Sequence, residues 1–164
     1  MSTEDNLTNA VEYAERQGIS LECQLGYGND GTVWSTSRDT AVKALFRQGG
    51  YDREIAAYRR LEHLGVGELE GFTVPRLVGS DDSLFVIEMT IVFPPCILDF
   101  AKSYVDEPPD FSEEVLADWR SATEDLFGDK WSTVNSILGW LRSYGIFYFD
   151  AKPSNIRFES QLSE

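Results

Sequence analysis

The chain contains 164 residues, 42% of them hydrophobic and 13% aromatic, which is enough to bury a core in one compact unit or in two small lobes. Its 28 acidic and 14 basic residues give a net charge of −14, so its average surface repels nucleic acid and anionic membranes. Two isolated cysteines and one histidine do not form a zinc-binding pattern, and no apolar stretch is long enough for a signal peptide or a membrane span, so we expect a cytoplasmic protein without a membrane partner.

The first half of the chain alternates between helical and β-type patterns. Apolar residues at helical spacing predict a leading helix from Leu7 to Gln17, ended by Gly18, within a leading segment of residues 1–18. A second helix is predicted from Tyr51 to Leu64. Runs of β-branched and apolar residues predict five strands: Ile19–Leu25, Thr32–Thr36, Thr40–Phe46, Pro75–Gly79 and Leu84–Thr90. We therefore expect an α+β fold in which residues 19–93 form a lobe with a five-stranded antiparallel sheet and one long helix.

The second half, residues 94–164, is predicted to be a smaller helical lobe. Pro94-Pro95 interrupts regular structure and sets the predicted boundary. One helix is expected from Ser112 to Phe127. Its apolar side consists of Val115, Leu116, Trp119 and Leu126. A further helix is expected from Trp131 to Tyr144, with Gly145 as its stop.

The first chemical motif is a glycine-rich segment between the first two predicted strands. It reads Gly26-Tyr27-Gly28-Asn29-Asp30-Gly31, and Val33 follows it. The same spacing opens dinucleotide-binding folds, where a helix follows the third glycine, but here the following residues are β-branched and aromatic. The glycines therefore belong at the tip of a hairpin, where backbone N–H groups can approach phosphates. The alternative is a flexible hairpin turn without a ligand.

Two oppositely charged residues follow this segment. Lys43 lies between apolar residues on the third predicted strand, so it either reaches solvent from a sheet edge or points inward with a chemical role. Glu54 lies at the edge of the apolar stripe of the helix Tyr51–Leu64. There it can reach Lys43 as an ion pair, and the alternative is a solvated helix carboxylate.

The segment from Tyr148 to Asn155 has the residues that phosphoryl transfer to a hydroxyl requires. Asp150 can accept the hydroxyl proton, Lys152 can neutralise the moving phosphoryl group, and Asn155 can hold a magnesium ion. Pro153 stiffens the turn between them. The sequence therefore predicts a catalytic loop directly after the helices of the second lobe.

In this order and structural context, the motifs resemble those of the protein-kinase-like superfamily over roughly residues 19–158. The resemblance rests on Gly26, Gly28, Gly31, Val33, Lys43, Glu54, Asp150, Lys152 and Asn155. It implies that ATP is bound with Lys43 paired to Glu54, and that the segment from Glu88 to Ile91 forms the hinge beside the adenine. It also implies that Asp150 and Lys152 act on the acceptor hydroxyl and the phosphoryl group, with Asn155 as a Mg²⁺ ligand. Lysine at position 152 is more similar to protein kinases than to aminoglycoside or choline kinases, which usually carry histidine there.

The chain departs from the kinase pattern in two ways. Tyr148-Phe149 stands where a His-Arg pair usually precedes the catalytic aspartate, which argues against control by a phosphorylated activation loop. The sequence also reaches Glu164 before the strand pair that would carry an Asp-Phe-Gly motif, so we expect the second usual metal ligand to be absent. Asp99-Phe100-Ala101 resembles that motif in its letters, but it precedes the catalytic loop and is predicted to start a helix beside the hinge. Glu159 or Glu164 is an alternative source of a carboxylate.

These features favour a minimal kinase-like enzyme that uses ATP and Mg²⁺ to phosphorylate a Ser/Thr or small-molecule hydroxyl. The alternative is a pseudokinase-like module that binds a nucleotide or a partner without catalysis, and a third interpretation is a two-lobed protein with coincidental motifs. Because the helix Trp131–Tyr144 would lack the cover that later helices give it in larger kinases, we also expect a homodimer or a protein partner on residues 94–164.

Overall fold

The computed structural model describes residues 2–159 of the chain. The elements, in chain order, are α1 (Thr3–Gln17), β1 (Leu21–Tyr27), β2 (Gly31–Thr36), β3 (Thr40–Leu45), α2 (Gln48–His63), β4 (Glu68–Leu69), β5 (Phe72–Thr73), β6 (Leu77–Asp81), β7 (Val86–Thr90), β8 (Cys96–Ile97), β9 (Ser103–Val105), α3 (Glu113–Phe127), α4 (Trp131–Ser143), β10 (Ile146–Tyr148) and β11 (Ile156–Arg157). A short 3-10 turn, Gly128–Lys130, joins α3 to α4. Among these elements, no helix is both long and apolar enough to cross a membrane.

Five strands form an antiparallel sheet in the order β1-β2-β3-β7-β6, which confirms the predicted sheet and the α+β class. The predicted strand ends differ from the observed ones by about two residues at most. Lys43 lies opposite Val33 of β2 and Ile87 of β7. It therefore belongs to the middle strand of the sheet, and the alternative of an edge lysine that reaches solvent does not apply.

The alternation of side chains along β3 decides what each face of the sheet contacts. Val42 and Ala44 point to one face, where they pack in a cluster with Tyr13 of α1. Leu45 points to the other face and belongs to the main core, which includes the apolar side of α2. Lys43 shares this second face, so its side chain is directed toward α2.

Helix α1 begins at Thr3 rather than at the predicted Leu7 because Ser2 caps it. The Ser2 hydroxyl accepts a hydrogen bond from the Asp5 amide, and the Asp5 carboxylate accepts one from the Ser2 amide. Gly18 ends the helix as predicted, with a left-handed φ of 68°. The helix is thus capped at both ends, and its residues Ala10 and Tyr13 pack against one face of the sheet.

Short strands connect the two predicted lobes. Strand β8 pairs antiparallel with β11, with Ile97 opposite Ile156, and it also pairs in parallel with β5. Strand β9 pairs antiparallel with β10. Segments of two or three residues are too short to be predicted from side-chain periodicity. The main core is one cluster that includes Leu45 and Ile87 from the first predicted lobe and Ile137 and Ile156 from the second. The boundary between residues 93 and 94 stays a prediction.

Helices α3 and α4 bury their apolar sides to different extents. Helix α4 buries four apolar residues at helical spacing: Val134, Ile137, Leu138 and Leu141. Helix α3 starts after the predicted cap, Ser112, but the fold covers only part of its apolar side. Val115 and Leu126 are 49% and 59% exposed, whereas the helix buries Thr123 and Phe127. Trp119 packs against the edge of the core and Phe127 is buried in it, whereas Val115 and Leu126 face solvent. The predicted dimer or partner contact of this lobe stays a prediction.

Candidate active site

A cleft of about 480 Å³ lies between the β1–β2 hairpin, β3, α2 and the loop before β11. Most of the predicted site residues line it: Gly26, Gly28, Gly31, Val33, Lys43, Glu54, Lys152 and Asn155. The exposed rings of Tyr27 and Phe93 also line this cleft. The fold thus brings together residues that lie near opposite ends of the sequence.

Lys43 and Glu54 form the predicted ion pair. The Lys43 Nζ atom lies 2.8 Å from Glu54 Oε2 and 3.0 Å from Glu54 Oε1. The side chains are only 7% and 1% exposed, respectively, so water screens the pair very little. The backbone amide of Phe100 also donates to Glu54 Oε1 at 3.4 Å. The alternative of a solvated helix carboxylate therefore does not apply to Glu54.

Burial favours the neutral forms of both Lys43 and Glu54, and the neighbouring charges decide the direction in which each pKa shifts. For Lys43, burial alone would lower the pKa, but the carboxylates of Glu54 and Asp99 outweigh this effect and raise it. For Glu54, burial raises the pKa to about 7, with Lys43 opposing the rise and Asp99 adding to it. Lys43 is thus a fixed positive charge, while Glu54 can take up a proton near neutral pH.

Asp99 forms a second ion pair with Lys43, at 3.3 Å between Oδ1 and Nζ. The prediction that Asp99-Phe100-Ala101 starts a helix beside the hinge is wrong. Asp99 has a left-handed backbone with a φ of 60°, in the turn between β8 and β9, and its carboxylate accepts a hydrogen bond from the Ala101 amide. Burial pushes the pKa of Asp99 upward, but Lys43 and the Ala101 amide outweigh it, so the pKa lies below its ordinary value.

Strand pairing carries Asp99 into the cleft. Strand β8 pairs with β11, which begins directly after Asn155, and the Leu98 amide donates to the Asn155 carbonyl at 2.7 Å. A carboxylate at this place was expected only from a segment after the catalytic loop, whereas here a segment before the loop supplies it. The residues Asp99-Phe100 resemble the start of an Asp-Phe-Gly motif. Their position before the predicted catalytic loop, however, argued against a role in binding a metal. Of the alternative carboxylates, Glu159 lines a separate surface depression and Glu164 lies outside the described residues.

Phe100 anchors the Asp99 turn in the core. Its fully buried ring makes edge-to-face contacts with Tyr58 of α2 and Tyr148 of β10, with ring centroids 5.3 Å apart in both pairs. The Tyr148 hydroxyl also donates to the Leu98 carbonyl at 2.6 Å. The three rings therefore connect the helix that carries Glu54, the turn that carries Asp99 and the strand that leads to Asp150.

Asp150 and Asn155 are largely buried and bonded to each other. The Asn155 Nδ2 atom donates to the Asp150 carboxylate and to the Asp150 backbone carbonyl, at 2.9 Å in both cases. Two ammonium groups flank the carboxylate: Lys152 Nζ lies 3.7 Å and Lys102 Nζ lies 3.8 Å from Asp150 Oδ1. Sequence reasoning missed Lys102 because it belongs to no motif. The pairing of β9 with β10, continued by a hydrogen bond from the Phe149 amide to the Lys102 carbonyl, brings its segment to the loop.

Three carboxylates meet where the hairpin faces the predicted catalytic loop. Asp30, Asp99 and Asp150 each place one carboxylate oxygen within 4.8 Å of the others. Asn155 adds a side-chain amide directly beside Asp150. Carboxylate and amide oxygens are the hard ligands that Mg²⁺ prefers in proteins. The donor set at this point of the cleft therefore fits a magnesium ion, and Asp30 is a member that sequence reasoning did not identify.

The glycines of the β1–β2 hairpin differ in their surroundings. A side chain at Gly31 would place its Cβ 2.3 Å from the Ala44 carbonyl oxygen, so the close approach of β2 to β3 requires glycine there. Gly26 and Gly28 have no atom within 4 Å of such a Cβ. They leave the backbone of the hairpin bare toward the cleft, as expected for a segment that approaches a phosphate.

Glu88 is not part of the cleft. Its carboxylate is fully buried on the α1 side of the sheet, where it accepts hydrogen bonds from Tyr13 at 2.8 Å, Thr40 at 2.5 Å and Arg38 at 2.7 Å. Burial tends to raise the pKa of Glu88, but these three donors outweigh it and lower the pKa. The Glu88 side chain therefore does not line the cleft, and the predicted hinge role of the segment Glu88–Ile91 beside the adenine stays a prediction. The side chain of the next residue, Met89, lines the cleft instead.

Comparisons with known proteins give distant likenesses only. Neither a family model nor a curated protein matches the chain. Solved structures that resemble it include the streptomycin–ATP–APH(2'')-IIa ternary complex, at 16% identity and a TM-score of 0.39, which covers 77% of this chain and 37% of that one. The ADP-bound aminoglycoside phosphotransferase APH(2'')-Ib matches at 19% identity and a TM-score of 0.39, over 72% of this chain and 39% of that one. The gentamicin–APH(2'')-IIa complex matches at 17% identity and a TM-score of 0.43, over 80% and 39%. The chain thus spans less than two fifths of each structure, and this likeness is too distant to assign an activity.

Proposed function

We propose that this protein is an ATP-dependent phosphotransferase that moves the γ-phosphate of ATP to a hydroxyl group of a Ser/Thr side chain or of a small molecule. One observation carries the proposal. The Lys43–Glu54 ion pair, the carboxylate of Asp99 and the Asp150–Asn155 pair all meet at one cleft. Phosphoryl transfer depends on positioning and on charge neutralisation rather than on a covalent intermediate, and these groups supply both.

The nucleotide would lie under the β1–β2 hairpin. Gly26 and Gly28 leave room for phosphates to approach the backbone, and Lys43 offers a buried positive charge to the α- and β-phosphates. Glu54 and Asp99 hold the Lys43 ammonium from two sides, so its position is set before a ligand arrives. A charge that needs no reorganisation stabilises the developing negative charge more effectively than a mobile one.

A magnesium ion would be held by Asn155 and Asp99, with Asp30 and Asp150 close enough to contribute oxygen atoms. When bound, Mg²⁺ would supply positive charge that neutralises the phosphate oxygens. The residues themselves supply the placement: Asp99 is fixed by its bond from the Ala101 amide, and Asn155 is fixed against Asp150.

Asp150 would accept the proton of the acceptor hydroxyl. Its carboxylate is 10% exposed, and Asn155 holds Oδ2 while Oδ1 faces Lys102 and Lys152. Both lysines are about half exposed and can move toward the phosphoryl group as it transfers. Lys152 then neutralises the negative charge that the transferred oxygens carry, as a point charge beside the base.

Two measurements on the purified chain test this proposal. Thermal unfolding is followed with ATP and Mg²⁺, and transfer from γ-labelled ATP is followed with Ser/Thr peptides and with small polyhydroxylated acceptors. ATP should raise the unfolding temperature of the wild type. The double variant Lys43→Met/Glu54→Gln, which removes both charges of the buried pair together, should lose that rise. Asp150→Asn should keep the rise but lose transfer, while Asp110→Asn, at an exposed position, should behave like the wild type.

Each negative outcome has its own meaning. If no nucleotide stabilises the wild type, the nucleotide site does not exist. If ATP stabilises the wild type but no transfer occurs with Mg²⁺ or Mn²⁺ to any acceptor class, the chain is a nucleotide-binding module without catalysis. Transfer to peptides but not to small molecules, or the reverse, decides between the two acceptor classes.

A further inference from the structure

A second cavity, of about 300 Å³, lies between α3, α4 and β10. Its wall includes Tyr148 and Phe149, the two residues that precede Asp150. Within the described part of the chain, the cavity shares no lining residue with the cleft that contains Lys43. It is therefore a separate site, and the phosphotransferase proposal does not use it.

The body of this cavity is apolar and held in place by contacts between its own walls. Trp119 and Phe149 pack edge to face with their ring centroids 5.1 Å apart, and the Trp119 Nε1–H group donates to the Phe149 carbonyl at 3.2 Å. Leu116 of α3 and Leu138 of α4 complete the apolar lining. These fixed rings form a preformed surface against which a flat or branched apolar group can pack.

The rim of the cavity carries positive charge. Arg120 and Arg142 both line it, and no lining residue in the described part of the chain is Asp or Glu. Arg120 lies over the ring of Trp131, with its guanidinium carbon 5.5 Å from the ring centroid. Of the ion pairs found among residues 2–159, none involves either arginine. Two unpaired guanidinium groups at one cavity are unexpected in a chain with 28 acidic and 14 basic residues.

We propose that this cavity binds a small monocarboxylate with an apolar body. The body would pack on Trp119 and Phe149, and the carboxylate would be bound by Arg142 and Arg120. A planar guanidinium group matches a carboxylate with two parallel hydrogen bonds, which makes it selective for such anions. A volume of about 300 Å³ suits a ligand of one or two rings, at the lower end of small-molecule sites.

Calorimetric titration of the full chain with 2-naphthoate and with its neutral isostere, 2-naphthamide, tests the proposal without any need for turnover. The acid should bind and the amide should bind about tenfold more weakly or not at all, because hydrogen bonds to charged groups would be lost. Arg142→Gln should weaken the binding of the acid by about tenfold, and Arg120→Gln/Arg142→Gln by more. Arg59→Gln, which removes the same charge from an exposed position on α2, should leave binding unchanged.

A further variant fills the cavity without touching the core. Leu116 is 36% exposed, so Leu116→Trp should fold normally and block binding of both ligands. Equal affinity for acid and amide, or unchanged affinity in the double arginine variant, would overturn the recognition of an anion. A lack of binding to the wild type at millimolar concentration would overturn the site itself. A dimer in sedimentation velocity that Leu116→Trp dissociates would show that a second copy of the chain occupies the cavity, which would also overturn the proposal.

Discussion

Asp99 contacts both the buried Lys43 and the group of carboxylates proposed to bind Mg²⁺. Its carboxylate is paired with Lys43 at 3.3 Å, and it also lies within 4.8 Å of the carboxylates of Asp150 and Asp30. Lys43 can keep its charge without Asp99, because Glu54 contacts the same ammonium at 2.8 Å. The role of Asp99 toward a metal can therefore be separated from its role in the buried ion pair.

The variant Asp99→Asn should fold and bind ATP but respond poorly to Mg²⁺. An amide is a weaker magnesium ligand than a carboxylate, so we expect phosphoryl transfer to fall by about 100-fold or more, and the Mg²⁺ concentration for half-maximal thermal stabilisation in the presence of ATP to rise. The exposed Asp110→Asn is the matched control and should show neither change. Unchanged dependence on Mg²⁺ in Asp99→Asn would show that the metal ligand lies elsewhere.

The buried ion pair predicts a characteristic dependence of stability on pH. Lys43→Met leaves the fully buried Glu54 without its main counter-ion, so the folded-state pKa of Glu54 should rise further above the value of about 7 that burial already gives it. A carboxyl group whose pKa is raised by folding contributes stability below its unfolded pKa and loses it as pH rises through the folded pKa. The variant should therefore be destabilised more at pH 8 than at pH 5, by about 3–5 kcal/mol at the higher pH.

Urea unfolding at several pH values checks this prediction. The double variant Lys43→Met/Glu54→Gln should lose most of the pH dependence, because no carboxyl group remains at position 54. If the difference between wild type and Lys43→Met is the same at pH 5 and pH 8, the ion pair does not govern the protonation of Glu54.

Single residues were predictable where one pattern fixed their surroundings. Lys43 and Glu54 met as predicted because the alternation of β3 and the periodicity of α2 point both side chains to the same face. The Glu88 side chain does not face the cleft because the same alternation sends it to the α1 side. There Gly79 leaves room for Tyr13, since a Cβ at position 79 would lie 2.5 Å from the Tyr13 hydroxyl. Asp99 and Lys102 reach the site through strand pairs of two or three residues, which no local pattern reveals.

At the scale of elements, the rings of Tyr58, Phe100 and Tyr148 join α2, the Asp99 turn and β10. Phe100 is the middle ring and has no exposed surface. Its truncation would leave a cavity and would release the Asp99 turn from the core. The proposed catalytic arrangement should therefore depend on this ring, although the ring contacts none of the residues proposed to act on the phosphate or the hydroxyl.

Phe100→Ala should lower the free energy of unfolding by about 3–5 kcal/mol, the range for loss of a buried phenylalanine ring. Phe93→Ala is the matched control, because that ring is 76% exposed and its loss should change the free energy of unfolding by less than about 0.5 kcal/mol. Urea unfolding measures both. A small effect of Phe100→Ala would mean that the three rings do not hold the elements together.

Helices and strands were predicted well where their own residues determine their ends and their buried side. They were predicted poorly where neighbouring elements determine how much of the apolar side is buried. Helix α1 gained a turn because Ser2 caps it, a signal that was present in the sequence but not used. Helix α3 has a regular apolar stripe, yet only Trp119 of that stripe packs against the core, and Val115 and Leu126 remain in solvent. Periodicity shows which side of a helix is apolar, but it does not show how much of that side the fold covers.

At the scale of the whole molecule, the excess of acidic residues acts against the compact state. A net charge of −14 on 164 residues produces self-repulsion that folding increases, since it brings the charges closer together. The exposed ion pairs, such as those of Arg59 with Asp82 and Arg60 with Asp106, offset this only slightly, because such pairs contribute about 0–1 kcal/mol each. The buried pair of Lys43 and Glu54 is shielded from salt and should not respond to it.

Salt should therefore stabilise this protein at neutral pH. Raising NaCl from about 0.02 M to about 0.5 M shortens the Debye length from roughly 20 Å to roughly 4 Å, which screens the repulsion between most surface carboxylates. The urea concentration at the midpoint of unfolding should rise at pH 7.5. Near pH 4.4, the calculated isoelectric point, the net charge is close to zero, so the same change in salt should raise the midpoint much less or lower it. An equal effect of NaCl at both pH values would show that general salting-out, rather than charge repulsion, controls the stability of the fold.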